Sequence, residues 1–197
     1  MRIPRCWLPA FLLAGVAFAG CSDSPTGGGD PRVTVRLTDA PGDVAAAVVT
    51  ISEIHLVGSD GKVVLMSEPV TTDLLDLAST TITLVEGIPV PEGTYTQLRF
   101  IISGGYLEVE NANGTTSIFA SSPTYSGLPP GAPVAGSLQM PSLAQSGLKV
   151  TFPSEELEIE DDQVFLVDFE VSQSFGRLAG NSGMWVMHPV ITGTVED

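Results

Sequence analysis

Hydrophobic and polar residues alternate with a period of two along several short stretches of the chain. From Arg32 to Thr38, the residues at 33, 35 and 37 are apolar and their neighbours are polar. The same alternation runs from Thr94 to Ser103 and from Gln163 to Val171. Period two with many β-branched residues predicts half-buried β-strands. Further strands are predicted at 48–57, 62–66, 115–119, 147–152 and 184–194, and residues 72–77 fit either a strand or one helical turn.

Turn residues separate these stretches. Ser59-Asp60-Gly61 predicts a hairpin, Asn113-Gly114 predicts a type I′ hairpin, and Gly104-Gly105 predicts a turn after the 94–103 strand. Pro189 lies within the last apolar stretch, which predicts a sheet edge or a bulge there. No long segment shows a period of 3.6 residues. The pattern therefore predicts an all-β fold, an antiparallel sandwich or barrel.

The first 20 residues have the order of a bacterial signal peptide. Arg2 and Arg5 precede an apolar stretch, Trp7 to Val16, and small residues lead up to Cys21. The apolar stretch is too short to cross a bilayer, which takes about 20 residues. We therefore expect residues 1–20 to be a leader, either of a lipoprotein or of an ordinary secreted protein.

The segment Phe18-Ala19-Gly20-Cys21 resembles the lipobox of bacterial lipoproteins. The resemblance implies cleavage before Cys21 and acylation of that cysteine, and two or more acyl chains give stable membrane anchoring. Residues 21–31 are rich in Gly, Ser and Pro and predict a flexible linker. The residue after the cysteine is Ser22 and not an aspartate. By resemblance to lipoprotein sorting in enterobacteria, this favours the outer membrane. The expected location is the cell envelope, with the protein lipid-anchored in the outer membrane and facing either the periplasm or the cell surface.

The charge balance excludes some partners. There are 23 acidic and 8 basic residues, for a net charge of −15, and loss of Arg2 and Arg5 with a leader makes it more negative. Such a chain repels phosphate backbones, so we expect no nucleic-acid partner. It also repels anionic lipids, so membrane attachment requires the covalent anchor. Cys21 is the only cysteine besides Cys6, so a mature chain has no internal disulfide.

Four segments together resemble the DUF4382 family, bacterial and mostly lipoprotein-anchored domains of unknown function. They are 35–43 (VRLTDAPGD), 91–100 (PEGTYTQLRF), 167–170 (VDFE) and 187–191 (MHPVI). The resemblance covers about residues 32 to 194 of a domain assigned to 32–197. It implies a β-sandwich, immunoglobulin-like or transthyretin-like. It implies no established activity and supplies no catalytic residues.

Acidic residues form two candidate cation sites. Asp39 and Asp43 flank Ala40-Pro41-Gly42 and could offer oxygen ligands to calcium, the one cofactor considered. The alternative is that an Asp accepts backbone N–H bonds while Pro-Gly forms the bend. Residues 155–162 contain six acids and could recruit cations or a basic partner. Alternatively, they form a solvated strand face, since Leu157 and Ile159 alternate with glutamates.

No catalytic group is predicted. His55 and His188 are the only histidines, both fall within predicted strands, and a structural role is the expectation for each. Ser146 and Lys149 have serine–lysine spacing, but Gly147 leads into a strand instead of the helix that this pattern requires. A triad needs Ser, His and an acid in one place. We therefore expect the chain not to be an enzyme.

The sequence favours a displayed module that binds an envelope protein or a glycan, with the ligand and its contact residues unknown. Tyr95, Tyr106, Tyr125 and Trp185 could form a sugar-stacking platform, although core packing is the alternative. Two other functions stay open. The chain could be a structural or assembly accessory of the envelope, or a hydrolase whose site has no recognisable motif.

Overall fold

The computed structural model describes residues 29–40, 44–175 and 183–196. Within these ranges nearly every regular element is a strand. In chain order the elements are β1 (Arg32–Ala40), β2 (Ala46–Gly58), β3 (Gly61–Met66), β4 (Val70–Asp73), a 3-10 helix (Leu74–Leu77), β5 (Ile82–Pro89), β6 (Gly93–Glu110), β7 (Thr116–Ala120), β8 (Val134–Gln139), β9 (Leu148–Lys149), β10 (Leu157–Ile159), β11 (Gln163–Glu170), a helical turn α1 (Val171–Ser174), β12 (Met184–Val186) and β13 (Ile191–Glu196). The all-β prediction is confirmed.

The strands form two sheets arranged as a sandwich. The first has the order β13-β11-β1-β5, and the second has the order β12-β8-β7-β6-β2-β3. Strand β4 pairs with β2, while β9 and β10 pair with β6. Three pairs are parallel, β1–β11, β7–β8 and β8–β12, so both sheets are mixed rather than purely antiparallel. Parallel neighbours need long connections, and β1 and β11 are separated in the chain by strands β2 to β10.

The inner faces of the two sheets form the core, and the alternation in the sequence predicts which residues face it. Val33, Val35 and Leu37 of β1 are fully buried. Phe165 of β11 and Phe100 of β6 lie in the same core cluster. Burial of each such side chain contributes about 1.5–3 kcal/mol. The predicted strands at 32–38, 94–103 and 163–171 are confirmed.

Gly104-Gly105 does not turn the chain, and that prediction is wrong. Strand β6 continues through both glycines to Glu110. A Cβ on Gly104 would lie 2.7 Å from the Tyr125 ring, and a Cβ on Gly105 would lie 2.6 Å from the Val48 carbonyl oxygen. The Tyr125 hydroxyl is 2.5 Å from Thr50 Oγ1 on β2. The glycine pair therefore lets a tyrosine and a neighbouring strand approach closely.

The predicted hairpins form, one of them with different geometry. Ser59 and Asp60 join β2 to β3 as expected, with Gly58 opposite Gly61. Between β6 and β7 the loop is 111–115, and the Asn111 N–H donates to the Thr115 carbonyl at 2.7 Å. Only Gly114 of the Asn-Gly pair has positive φ, so the type I′ turn predicted there is wrong.

Three predicted segments differ in detail from the observed elements. Residues 72–77 contain both alternatives, the end of β4 and a 3-10 helix capped by Asp73. Of the predicted strand 147–152, only Leu148–Lys149 is strand, followed by an isolated bridge at Thr151. The last stretch is divided into β12 and β13, with Pro189 between them. Proline has no N–H for a ladder, which explains the interruption.

The start of the folded domain is held beside the start of β11. The Arg32 N–H donates to Asp162 Oδ1 at 2.8 Å, and the Val90 N–H donates to the Pro31 carbonyl at 2.9 Å. Val33 pairs with Gln163 in the parallel register of β1 and β11. Residues arriving from the N-terminus therefore enter the sandwich at the end where β11 begins.

Candidate functional site

Asp39, one of the two calcium candidates, lies on the inner face at the end of β1. It is only 5% exposed, and its Oδ1 accepts a hydrogen bond from the Val171 N–H at 3.0 Å. Asp39 thereby holds the first residue of α1 against β1. Asp43 lies outside the described residues, as does the lipidation candidate Cys21. In the part of the chain that the structure describes, no group of three or more His, Cys, Asp or Glu residues is placed to hold a metal ion.

His55 lies on the outer face of the second sheet, against two charged neighbours. Its Nδ1 is 2.7 Å from Glu53 Oε1, and the same oxygen accepts a hydrogen bond from Lys62 Nζ at 2.6 Å. Burial lowers the pKa of His55, and the positive charge of Lys62 lowers it further. The Lys62 hydrogen bond lowers the pKa of Glu53. His55 is thus packed into the sheet surface beside the Glu53 carboxylate.

His188 is at the surface and lies outside a strand, contrary to the sequence-based placement. Its backbone N–H donates to the Ser174 carbonyl at 2.8 Å. Ser174 is fully buried, and its hydroxyl oxygen accepts a hydrogen bond from the Val190 N–H at 2.9 Å. These bonds join α1 to the segment that precedes β13.

The aromatic residues considered as a sugar platform pack inside the protein. Tyr95, Tyr106 and Trp185 are buried. The Trp185 ring packs on Phe119 with ring centroids 5.8 Å apart, and the Tyr106 and Tyr125 rings are 6.4 Å apart. Of the two interpretations of these rings, the structure supports core packing.

An open groove lies between the two sheets, at the edge of the sandwich where β13 is the last strand. We call it the interlayer groove, lined by residues 152–158 together with Gln163, Phe165, Thr194 and Val195. Its volume is about 810 Å³. The groove could not be recognised from the sequence, because its walls come from three separate segments of the chain.

The segment 150–157 builds one wall by crossing from one sheet to the other. The Val150 N–H donates to the Leu98 carbonyl of β6, whereas Thr151 exchanges two hydrogen bonds with β13, at Ile191 and Gly193. The chain then leaves β13 at Pro153 and returns to β6 as β10, where Leu157 pairs with Tyr95. This crossing segment is therefore hydrogen-bonded to both sheets.

The floor of the groove is apolar. The Phe152 ring packs edge-on against Phe165 with ring centroids 5.5 Å apart. It also lies directly over Gly193, where a Cβ would be 2.6 Å from the ring. Val195 is paired with Phe165 across the ladder and so faces the same side, yet it is 47% exposed. An inward-facing valine that stays exposed marks an apolar surface left uncovered between the sheets.

The rim of the groove is acidic. Glu155, Glu156 and Glu158 line it, and none of the eleven described residues that line it is basic. Leu157 and Ile159 of β10 are buried while Glu158 points outward, which confirms that this acidic segment is a solvated strand face. An apolar floor with a negative rim is suited to a ligand that combines apolar and cationic groups.

Asp168 is a further perturbed carboxyl that sequence analysis did not single out. It lies on the outer face of β11, between Thr38 of β1 and Thr192 of β13. Burial raises the pKa of Asp168, and the negative charge of Glu170 adds to the effect. Among the described residues no hydrogen-bond partner is found for its buried Oδ1. Asp168 is therefore a destabilised charge on the first sheet, away from the groove.

Among the described residues, no helix is long and apolar enough to cross a membrane. Comparison with curated proteins and with solved structures gives no significant match. The choice between an immunoglobulin-like and a transthyretin-like topology therefore stays a prediction.

One family does match, over residues 31–189, and it is described as a domain of unknown function, DUF4382. The match begins at the first residues of β1 and ends just before β13. It thus includes every strand except β13 and most of the residues that line the interlayer groove, and it spans well over half of the chain. The chain belongs to the DUF4382 family.

Proposed function

We propose that this protein is a lipid-anchored envelope protein whose β-sandwich is a non-catalytic binding module, with the interlayer groove as its ligand site. The observation that carries the proposal is the uncovered apolar floor at Phe165 and Val195 between the sheets. Ligand sites in proteins are concave, largely apolar and roughly 300–1,000 Å³ in volume. The groove, at about 810 Å³, falls within that range.

The chemistry of the groove favours binding over catalysis. Ser154 and Thr194 bring hydroxyl groups to it and Glu155, Glu156 and Glu158 bring carboxylates, but no side-chain hydrogen bond among the described residues joins either hydroxyl to one of these possible bases. Hydroxyl nucleophiles need an adjacent base and a group that orients the base. His55 instead contacts Glu53, which also forms an ion pair with Lys62, on the outer face of the second sheet.

The anchor is proposed from the N-terminal sequence. Arg2 and Arg5, the apolar stretch and the small residues before Cys21 have the order of a lipoprotein leader. Intact-mass spectrometry of the protein purified from native membranes tests this assignment. We expect a mature chain that begins at Cys21 and carries acyl mass, and a Cys21→Ser variant without that mass. A soluble product without lipid would refute the anchor.

Binding at the groove is tested with two matched substitutions. Val195→Arg places a long cationic side chain in the groove, whereas Val64→Arg makes the same change at a valine of β3 that is 43% exposed and outside the groove. Each variant, and the unsubstituted protein, is used to capture proteins and glycans from an envelope extract. We expect a bound species that Val195→Arg loses and Val64→Arg retains. Equal capture by all three would refute the groove as the binding site.

A further inference from the structure

Strand β13 is the edge strand of the first sheet, and its outer edge is only partly covered. Thr151 covers the first part, since its N–H donates to the Ile191 carbonyl at 3.0 Å and its carbonyl accepts from the Gly193 N–H at 2.9 Å. These two bonds are the start of a parallel ladder. In such a ladder the next bond would run from the N–H of residue 153 to the carbonyl of Gly193.

Residue 153 is proline, so that bond cannot form. Proline has no backbone N–H, and within sheets it ends or interrupts a ladder. The chain accordingly turns away at Pro153, and β13 continues for three more residues to Glu196. The sequence thus stops the pairing at a defined point, and among the described residues no strand covers the end of this edge strand.

The uncovered part of β13 presents its backbone at the groove. Gly193 directs its N–H outward to Thr151. Successive residues of a strand alternate in direction, so Val195, two residues later, directs its N–H and carbonyl to the same side. The exposed Val195 side chain lies directly beside those groups, over the groove floor. Main-chain hydrogen-bonding groups and an apolar pocket therefore occur together.

This combination is the one used when an extended peptide adds a strand to a sheet edge. The main-chain bonds supply affinity, and pockets for alternate side chains supply selectivity. The charge of the site defines the peptide further, because Glu155, Glu156 and Glu158 line one wall of the groove and the whole chain carries a net charge of −15. Extending the proposed binding function, we infer that the occupant is an extended basic peptide segment of a partner protein, paired with β13 at Gly193–Glu196 and with an apolar side chain in the groove.

Charge disfavours two other occupants. A second copy of this chain would bring another strongly acidic surface against the same glutamates, and like charges in contact are repulsive. The linker, residues 21–31, contains Asp23 and Asp30 and no basic residue. A basic segment from a different protein is the occupant that complements the rim.

The test uses a fluorescent peptide of about eight residues that alternates lysine and valine, a length that spans roughly 25 Å when extended. Binding is measured by fluorescence anisotropy. We compare this peptide with one alternating glutamate and valine, and with a lysine–valine peptide whose alternate backbone nitrogens are methylated to remove their N–H groups. The lysine–valine peptide is expected to bind, and the other two are expected to bind at least about tenfold more weakly.

Two protein variants, each with a matched control variant, examine the backbone and the rim separately. Val195→Pro removes the outward N–H without removing a bond to β11, and Val195→Ala keeps that N–H as the matched control. Glu155→Gln/Glu156→Gln removes two rim charges, while Glu68→Gln/Glu86→Gln removes two exposed charges elsewhere. We expect Val195→Pro to bind about five- to tenfold more weakly than Val195→Ala. We also expect the rim pair to weaken binding and the control pair to leave it unchanged. The methylated peptide gives the backbone result on unsubstituted protein if Val195→Pro does not fold.

Three outcomes would overturn the inference. The methylated or the acidic peptide could bind as tightly as the lysine–valine peptide, or no binding could be measured up to about 1 mM peptide. Sedimentation could reveal a dimer that Val195→Arg dissociates, which would make a second copy the occupant. If the peptide fails while envelope capture still depends on Val195, the groove binds a different chemistry. In that case the inference fails and the proposed function stands.

Discussion

The contact between Asp39 and α1 leads to a quantitative prediction about stability. Asp39→Ala removes the carboxylate oxygen that accepts the Val171 N–H at 3.0 Å, inside a site where Asp39 is 5% exposed. The N–H of Val171 is then left buried without this acceptor. Hydrogen bonds to charged groups contribute about 1.5–3 kcal/mol, and an unsatisfied buried group costs a similar amount.

We expect Asp39→Ala to lower the free energy of unfolding by about 2 kcal/mol. For a domain of this size, that change lowers the Tm by about 4–8 °C. Asp39→Asn keeps an oxygen acceptor and should lose less. Urea unfolding followed by circular dichroism measures all three proteins, because the change should appear as a lower midpoint with the same slope.

The same experiment, repeated with added calcium and with chelator, separates the two roles considered for Asp39. A bound calcium ion would stabilise the folded state by mass action. We expect no calcium-dependent shift of the midpoint in the unsubstituted protein. An Asp39→Ala protein as stable as the unsubstituted one would refute the structural role, and a calcium shift lost in Asp39→Asn would establish a metal site.

Three further predictions concern His55, Asp168 and Gly104. The pKa of His55 is lowered by burial, so the unfolded chain takes up a proton near the ordinary value of 6.5 and the folded chain does so only at a lower pH. Stability should therefore fall as the pH drops from about 7 to 5, and His55→Gln, but not His188→Gln, should flatten that dependence in urea titrations. Burial raises the pKa of Asp168 above its ordinary value of 3.8, so the folded state binds this proton more tightly than the unfolded chain does. The resulting stabilisation is present below pH 3.8 and is lost as the pH rises through the higher pKa of the folded state. Asp168→Asn should consequently raise the urea midpoint at about pH 7 but not at about pH 3, and equal effects at both would contradict this reasoning. Gly104→Ala places a Cβ 2.7 Å from the Tyr125 ring and should cost about 1–3 kcal/mol, measured as a lower midpoint; an unchanged midpoint would mean that the ring moves aside freely.

Strands with one buried and one exposed face could be predicted from the sequence. In β1 and β11 the inner residues meet the core and the outer residues meet solvent, so the physical environment itself has a period of two. Strands β5 and β8 were not predicted. In β8, Gly136 lies where a Cβ would be 2.0 Å from the Gly183 carbonyl, so close packing replaces alternation there.

Local patterns carry less information where one residue type serves two purposes. Gly104-Gly105 has the composition of a turn, but here glycine is needed for the ring of Tyr125 and the backbone of Val48 to approach. The two uses look identical in one sequence. The distinction depends on a residue about 20 positions later in the chain, which a local pattern cannot show.

The interlayer groove could not be predicted for a related reason. Phe152, Phe165 and Val195 come from three segments that meet only because β11 pairs with β13 and the 150–157 segment crosses between sheets. Pairing order is not encoded in periodicity. The acidic segment was visible in the sequence, and its strand character was predicted, but the apolar floor beside it was not.

The point where the chain enters the sandwich determines how this site would face a membrane. Arg32 is fastened to Asp162, next to Gln163 and the groove, and residues 21–31 reach at most about 40 Å when fully extended. If Cys21 carries lipid as proposed, the groove lies on the bilayer side of the domain, and the linker restricts its distance from the membrane surface. A ligand fixed to the same membrane would then be held at a high effective concentration. Such confinement would let a groove with modest intrinsic affinity remain occupied.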